Sequence, residues 1–295
     1  MNKDAEITIG LPVYNGEQSI AKAIESILLQ SFENFDLLIS DNASSDNTEK
    51  ICKRFAEKDK RIRYVRQPKN IGMHPNFKFV LDNALPNAEF FIFAASDDQK
   101  SPSFLEKNIF FLRENKDFVA STSPNCHESN VGNKNRYDVF SFKGSRYERI
   151  ETFFKYPWNT QGIYYSVFRK DIIKKASCYL EDDYIAADWV VDFFLINYGQ
   201  IARIESELLI LGESGASMQK SPWHPYTPKK IELLIPLFRF NKVAFPILFS
   251  IKNRAKRLIS IINLCKLNIN VIYVFYRQSI SLKIKELRNI DRIRE

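Results

Sequence analysis

What most restricts the fold of this chain is an alternation, in which short apolar runs exchange regularly with segments of helical period. Ile7 to Val13 (ITIGLPV) is such a run, and Ser19 to Gln30 then sets Ile20, Ala23, Ile24, Ile27 and Leu28 along one helical face. Phe35 to Ser40 (FDLLIS) reads as a second buried strand. Asp46-x-x-Glu49 has the form of a capping box that opens a helix running to about Lys58. Ile62 to Arg66 predicts a third strand and Pro75 to Ala84 a helix. Phe90 to Ala95 (FFIFAA) is apolar at every position, as a strand buried on both faces must be, so it belongs in the centre of its sheet. Strands joined by helices pair in parallel, because a helix carries the chain back to the edge where the next strand begins. The expected class is α/β, a doubly wound, mostly parallel sheet with helices on both faces.

The pattern continues less regularly. Pro102 suits a helix start, with Leu105, Ile109 and Leu112 as the apolar stripe, and Phe118 to Thr122 is a further strand. Pro124 to Arg149 is polar and without period, and is read as a loop region over the open edge of the sheet. Gly162 to Arg169 returns to strand character, Ala187 to Tyr198 is helical and stops at Gly199, and Ile201 to Leu211 contains at least one more strand. At 295 residues, with 45% hydrophobic and 26% charged residues, the chain has the composition of a globular protein, which excludes disordered and collagen-like classes.

Charge is unevenly placed. Of the net +8, Lys229 to Glu295 carries +11, with fifteen basic and four acidic residues, and leaves the body at −3. Such a tail meets something anionic, and its other residues choose the partner. Ile231 to Ile251 and Leu258 to Tyr276 are dominated by Ile, Leu, Phe, Val and Tyr, so an anionic membrane surface is expected and nucleic acid is not. Pro236, Arg239, Lys242 and Pro246 interrupt the first stretch, and Lys266 with three asparagines the second, which favours lying in the interface over crossing it. The competing reading is a helical subdomain packed on the body with its basic residues solvated. The four cysteines stand singly with no C-x-x-C, and Met1 to Glu6 shows no secretory pattern, so a reducing cytoplasm is expected.

In an open parallel sheet, ligands gather beyond the carboxyl ends of the strands. Pro12-Val13-Tyr14-Asn15-Gly16 follows the first strand, Asp41-Asn42-Ala43-Ser44-Ser45-Asp46 the second, Asn70-Ile71-Gly72 the third and Ser96-Asp97-Asp98 the fourth. Taken in order, Pro12-Val13-Tyr14-Asn15, Asp41 to Thr48, Asn70-Ile71-Gly72 and Asp97-Asp98 resemble the signature of the family-2 glycosyltransferases of the GT-A fold: P-x-Y-N, D-x-x-S-x-D-x-T, N-x-G and a D-x-D-type acidic pair. The resemblance covers about residues 5 to 215 and is strongest through residue 105. It implies a catalytic domain over 1–225, with a nucleotide-sugar half of about 1–122 and an acceptor half of about 123–225, followed by a helical, basic-amphipathic region at 226–295.

The resemblance also implies roles. A diphosphate leaves poorly from a dry site unless its charge is matched, and a carboxylate-held Mg2+ or Mn2+ matches it. Asp98 would hold the metal, and Asp97 would contact the ribose or support the metal shell. Asp41 would accept a hydrogen bond from the base, which uracil or guanine can donate and adenine cannot. Pro12, Val13, Tyr14, Asn15 and Asn70 would complete the nucleotide-sugar site. Ordinary chemistry competes for some of these residues: helix capping for Asp97 and Asp98, turn and core packing for Val13 and Tyr14.

An inverting transfer also needs a base for the acceptor hydroxyl. The family places it in an E-D pair eleven residues before a glycine, and Asp188 stands eleven before Gly199, whereas Asp182 and Asp183 miss the spacing and Asp192 lies one turn further on. Ala187 replaces the expected glutamate. The family's R-x-H-like element is also missing, since Leu211-Gly212-Glu213-Ser214-Gly215 fills its place, with Lys220, His224 or a tail residue as substitutes. Trp158 and Tyr164 are candidate acceptor aromatics, or core packing. The expected function is metal-dependent, inverting transfer from a nucleotide-sugar, a UDP-sugar first, to a saccharide or lipid-linked acceptor on the cytoplasmic side of a membrane. The alternatives are an inactive membrane-bound scaffold of the same fold and a nucleotidyltransferase, whose glycine-rich phosphate loop Tyr14-Asn15-Gly16-Glu17 does not provide. Neither G-x-G-x-x-G nor G-x-x-x-x-G-K-[ST] occurs.

Overall fold

The computed structural model describes residues 4–134, 138–160, 162–213 and 229–294, with side chains as far as Lys283. The alternation resolves into β1 (Ile7–Val13), α1 (Ile20–Leu28), β2 (Phe35–Asp41), α2 (Thr48–Lys58), β3 (Ile62–Arg66), α3 (Met73–Asp82) and β4 (Phe90–Phe93). These four strands are parallel and adjacent in the order β3-β2-β1-β4. Chain order therefore reverses beside β1, which opens a crevice at the carboxyl edge there. The seven-stranded sheet continues from β4 through β8 (Val167–Arg169), β6 (Phe118–Thr122) and β9 (Gln200–Arg203). Only β8 is antiparallel to its neighbours, so the sheet is mostly parallel, as expected.

β4 lies fourth of seven, and its side chains alternate between two apolar cores. Phe90 and Ile92 join the cluster of Ile7, Ile9, Leu37 and Ile39, whereas Phe91 and Phe93 join that of Leu38, Val80, Phe168 and Phe193. All four are fully buried, and each contributes about 1.5–3 kcal/mol relative to exposure. A second sheet of β5 (Gln99–Lys100), β10 (Leu209–Leu211) and β7 (Asn125–His127) folds over the carboxyl edge.

Local expectations hold unevenly. The capping box does not form: α2 starts at Thr48, Asp46 Oδ1 accepts its N–H at 3.0 Å, and Glu49 turns outward to Lys53 at 2.7 Å and Arg66 at 3.4 Å. Opposite charge draws the glutamate away. Pro124 to Arg149 is not all loop, because it supplies β7 and the start of α5 (Arg146–Lys155), where Ser145 and Glu148 make a true capping box. Of Gly162 to Arg169, only Val167–Arg169 is strand, and Ile163–Tyr165 is a 3-10 turn.

The expected division near residue 225 lies outside the described residues. Beyond it come α8 (Lys230–Leu234), α9 (Phe238–Phe249) and α10 (Arg254–Arg294). Phe240 of α9 stacks on Phe153 of α5 at 5.7 Å and meets Phe193 of α7 (Ala187–Tyr198) edge-on at 5.2 Å. α10 buries Ser260, Leu264, Leu267 and Val271, and Ser260 and Asn263 donate to Glu151 of α5 at 2.7 and 2.8 Å. Its opposite face leaves Leu258, Ile262, Ile269, Tyr273 and Ile280 exposed. Over Arg254–Lys283 this helix is, by length and composition, long and apolar enough to cross a membrane, which the interrupted sequence did not suggest.

Candidate active site

Strand register builds the donor side. Val13 pairs with Asp41 and Asp41 with Arg66, so the last residues of β1, β2 and β3 form one row at the carboxyl edge. Asp41 is fully buried. Its Oδ1 accepts the Ser44 N–H at 2.8 Å, and its Oδ2 accepts Tyr64 Oη at 2.7 Å and Arg66 at 2.8 Å. A carboxylate offers about four acceptor positions, so these three bonds leave one unfilled. Burial, with the bond to Asp41, pushes the Tyr64 phenol up. Tyr64 and Arg66 escaped the sequence reading, though as the tip of the neighbouring strand they were findable from register alone.

The strand tips are stitched to one another. Asn15, with φ +51°, donates its N–H to Ser44 Oγ at 2.9 Å and accepts the Ser45 N–H at 2.8 Å, while Glu17 N–H reaches Asp46 at 3.0 Å. Pro12 and Val13 lie buried within β1, and Tyr14 is half exposed above them. Asn70 Oδ1 accepts Asn42 Nδ2 at 3.0 Å and the Gly72 N–H at 2.9 Å, which closes the turn into α3. Asn15 and Asn70 therefore shape the loops.

Asp97 and Asp98 follow β4, the central strand. Asp98 is buried; its Oδ1 accepts the Gly212 N–H at 3.0 Å, and its Oδ2 has no hydrogen-bond partner among the described residues. Burial raises its carboxyl to about 6, with Lys100 and the Gly212 bond opposing and Asp97 adding. Pairing of Leu209 with Lys100 and of Ile210 with Gln99 brings β10 across, and a Cβ at Gly212 would collide with the Asp97 carboxylate. Where an arginine or histidine was sought, the chain supplies a backbone N–H. Ser214, Gly215, Lys220 and His224 lie outside the described residues.

Those residues contain no group of three or more His, Cys, Asp or Glu able to enclose a cation. An orphaned carboxylate oxygen beside a second acid nevertheless fits a hard ion that keeps waters and takes the rest of its shell from phosphate, as Mg2+ does. Mn2+ accepts the same oxygen donors.

On the side expected to take the acceptor, α7 begins directly after Ala186, a non-glycine residue at φ +62°, and Asp188 stands in its first turn. Such backbone costs of order 1 kcal/mol or more and collects at functional sites. Asp188 is open to solvent but ringed by protein mass, which raises its carboxyl against the opposing Trp189 N–H and His74. Asp192 is buried beneath it, one oxygen unbonded, and burial with the Asp188 charge drives its carboxyl well above the usual range. It faces the core. Asp182 pairs with Arg239 at 2.9 Å, and Asp183 with His74 at 3.0 Å. Tyr164 is buried and stacked on Phe93 at 4.9 Å, which makes it core, whereas Trp158 is 49% exposed and edge-on to Trp189 at 5.0 Å.

The family model described as glycosyl transferase family 2 matches residues 8–176. The chain is 30% identical over 119 residues to the putative glycosyltransferase EpsE of Bacillus subtilis, covering 40% of this chain and 42% of EpsE. It is 26% identical over 173 residues to the GalNAc(5)-diNAcBac-PP-undecaprenol beta-1,3-glucosyltransferase of Campylobacter jejuni, covering 57% of this chain and 53% of that enzyme. It thus spans about half the length of either relative. Among solved structures it resembles S. aureus TarS 1-349 in complex with UDP-GlcNAc (TM-score 0.58, 16% identity, 94% of this chain and 73% of that one). It also resembles the mannosyltransferase PcManGT of Pyrobaculum calidifontis in complex with GDP-Man and Mn2+ (TM-score 0.52, 10% identity, 95% of this chain and 80% of that one). At these identities the structural likeness is one of fold.

Proposed function

This chain belongs to glycosyl transferase family 2, and on that premise we propose a metal-dependent, inverting transferase that moves a sugar from a nucleoside-diphosphate donor, a UDP-sugar first, to a saccharide or lipid-linked acceptor of surface-polysaccharide type. The observation that carries the reading is the buried, unbonded Oδ2 of Asp98 at the carboxyl end of the central strand. Bound there, Mg2+ or Mn2+ would neutralise the leaving diphosphate. Asp98, helped by Asp97, holds it, and the Gly212 N–H orients the Asp98 carboxylate. Asp41 offers its remaining acceptor position to the N–H of uracil or guanine, while Arg66 pairs with its other oxygen at 2.8 Å. Pro12, Val13 and Tyr14 wall the base pocket, and Asn15 and Asn70 keep its loops in place. Asp188 takes the proton of the acceptor hydroxyl, and a carboxyl raised by its surroundings holds a proton more readily than an ordinary aspartate. Complexes of the two fold relatives with UDP-GlcNAc and with GDP-Man and Mn2+ support the donor class and the cation, and the undecaprenol-linked acceptor in the Campylobacter relative's name supports a lipid-linked one.

The same reading assigns donor binding to residues 1–122, acceptor binding to 123–225 and attachment to the cytoplasmic membrane face to 226–295, by the apolar outer face of α10 and its cations. The test is thermal unfolding with UDP. Protection should require Mn2+ or Mg2+ and vanish in Asp98→Asn, whereas Asp188→Asn should keep it and lose roughly 10²- to 10⁴-fold in turnover with a cognate donor. Unchanged metal-dependent protection in Asp98→Asn overturns the metal role, and near-normal turnover of Asp188→Asn removes it as base.

A further inference from the structure

The turn ahead of α7 is tied to the donor side by a pair with no part in the scheme above. His74, buried in the first turn of α3, sets Nδ1 3.0 Å from Asp183 Oδ1. The same carboxylate accepts the main-chain N–H groups of His74 at 2.7 Å and Met73 at 3.0 Å, so one aspartate closes the amino end of α3 from 109 residues away. The approach is close enough to constrain the sequence: Gly72 has φ +101°, and a Cβ there would stand 2.7 Å from Asp183 Oδ2. Burial penalises the Asp183 charge, but the bonds from His74 and Met73 outweigh it and hold the carboxyl below the usual range. The ionised form of Asp183 is therefore the favoured one, and three nitrogens converge on it.

The tie reaches Asp188 by two routes. Tyr184 lies against the His74 ring, centroids 5.9 Å apart, and Ala186 takes up the positive φ between the tie and α7. Electrostatically, Asp188 is faced by His74 from α3, Tyr164 from the turn before β8, Tyr184 from its own approach and Asp192 one turn on. Arg239 of α9 stands over the Tyr184 ring. Among the side chains acting on Asp188, His74 is the one whose charge favours the carboxylate.

We propose that His74 and Asp183 form a positioning unit for Asp188: the pair pins the strained turn before α7 to the N-x-G turn of the donor side and so fixes where the first turn of α7 holds the Asp188 carboxylate. The functional meaning rests on Asp188 being the base; the coupling itself does not. Full-length protein labelled with [13C]aspartate provides the test, with the Asp188 carboxyl resonance assigned by its loss in Asp188→Asn. In His74→Gln the Asp188 midpoint should rise by roughly half a pH unit or more, because the imidazole that favours the carboxylate is lost and the turn that carries Asp188 is released. Asp183→Asn, which cannot accept three donors, should raise it too, and the double variant should add little to either change. An unmoved midpoint in both single variants, with unaltered circular dichroism, overturns the proposal, as do fully additive shifts. If His74→Gln fails to fold, Asp183→Asn decides by the same resonance. Should Asp188→Asn keep its turnover, the base assignment falls while the titration still judges the tie.

Discussion

Asp98 is raised to about 6, well above the 3.8 of a free aspartate. Through that window the folded chain keeps a proton the unfolded chain has given up, so this group's contribution to stability falls as pH rises from about 4 to 6. A cation needs the ionised carboxylate and responds in the opposite sense. Mn2+-dependent UDP binding should be strongest above pH 6 and weaken by up to roughly tenfold per unit below it, while Asp98→Asn at neutral pH should unfold no sooner than wild type. Calorimetric titration at several pH values checks the first and thermal scanning the second; pH-independent affinity would separate Asp98 from the cation. The acid pair was legible as Ser96-Asp97-Asp98 after an apolar run. Its partner Gly212 was not, because it stands 114 positions further along and the chain between carries no periodic signal of their meeting.

Three residues of β10, Leu209–Leu211, decide the shape of the rim around Asp97 and Asp98. Pairing antiparallel to β5 and parallel to β7, that short strand lays its end over Asp97 and Asp98 and donates a backbone N–H where a basic side chain was expected. A methyl group at Gly212 would enter the space of the Asp97 carboxylate. Gly212→Ala should therefore push the acid pair apart and lower Mn2+-dependent UDP affinity about tenfold or more, while the overpacking costs about 1–3 kcal/mol of stability. Parallel UDP–Mn2+ titration and denaturant unfolding measure both. Wild-type affinity in the alanine variant would mean that β10 only packs. Strands β1, β2 and β4 were readable as mainly apolar runs and β3 as a short run between two helices, but β5, β7 and β10 have two or three residues and too little pattern to announce a pairing.

At the scale of the molecule, α10 carries apolar residues on two opposite faces. Ser260, Leu264, Leu267 and Val271 seat α10 on the body, and Leu258, Ile262, Ile269, Tyr273 and Ile280 point away from it. Packing on the body and binding a membrane were two readings of the sequence that could hold together; on a helix with both faces apolar they use different residues. Lys252, Arg254, Lys256, Arg257 and Lys266 sit along the same stretch, and each cation near anionic lipid adds about 1 kcal/mol. Ile262→Gln, Ile269→Gln and Tyr273→Gln combined should leave thermal unfolding unchanged and cut flotation with vesicles of about one-third anionic lipid at least tenfold at physiological salt. Equal flotation would make the outer face something other than a lipid contact. Truncation from Lys252 is the blunter test, since it also uncovers the seat of Leu264 and Leu267.

Sequence alone determined what depends on neighbours along the chain. It set β1 to β4 and the helices between them, that β4 is central, that Asp41, Asp97 and Asp98 stand at carboxyl tips, and that the basic surplus lies beyond residue 228, because periodicity, burial and charge are local sums. Tertiary structure decided what depends on distant segments meeting. Arg66 and Tyr64 reach Asp41 through strand register, Gly212 reaches Asp98 through a strand too short to announce itself, and Asp183 reaches His74 across 109 residues. Asp192, which the spacing left as a second candidate base, is turned into the core beneath Asp188 by the packing of α7, and no one-dimensional pattern records which side of an almost wholly apolar helix is the buried one.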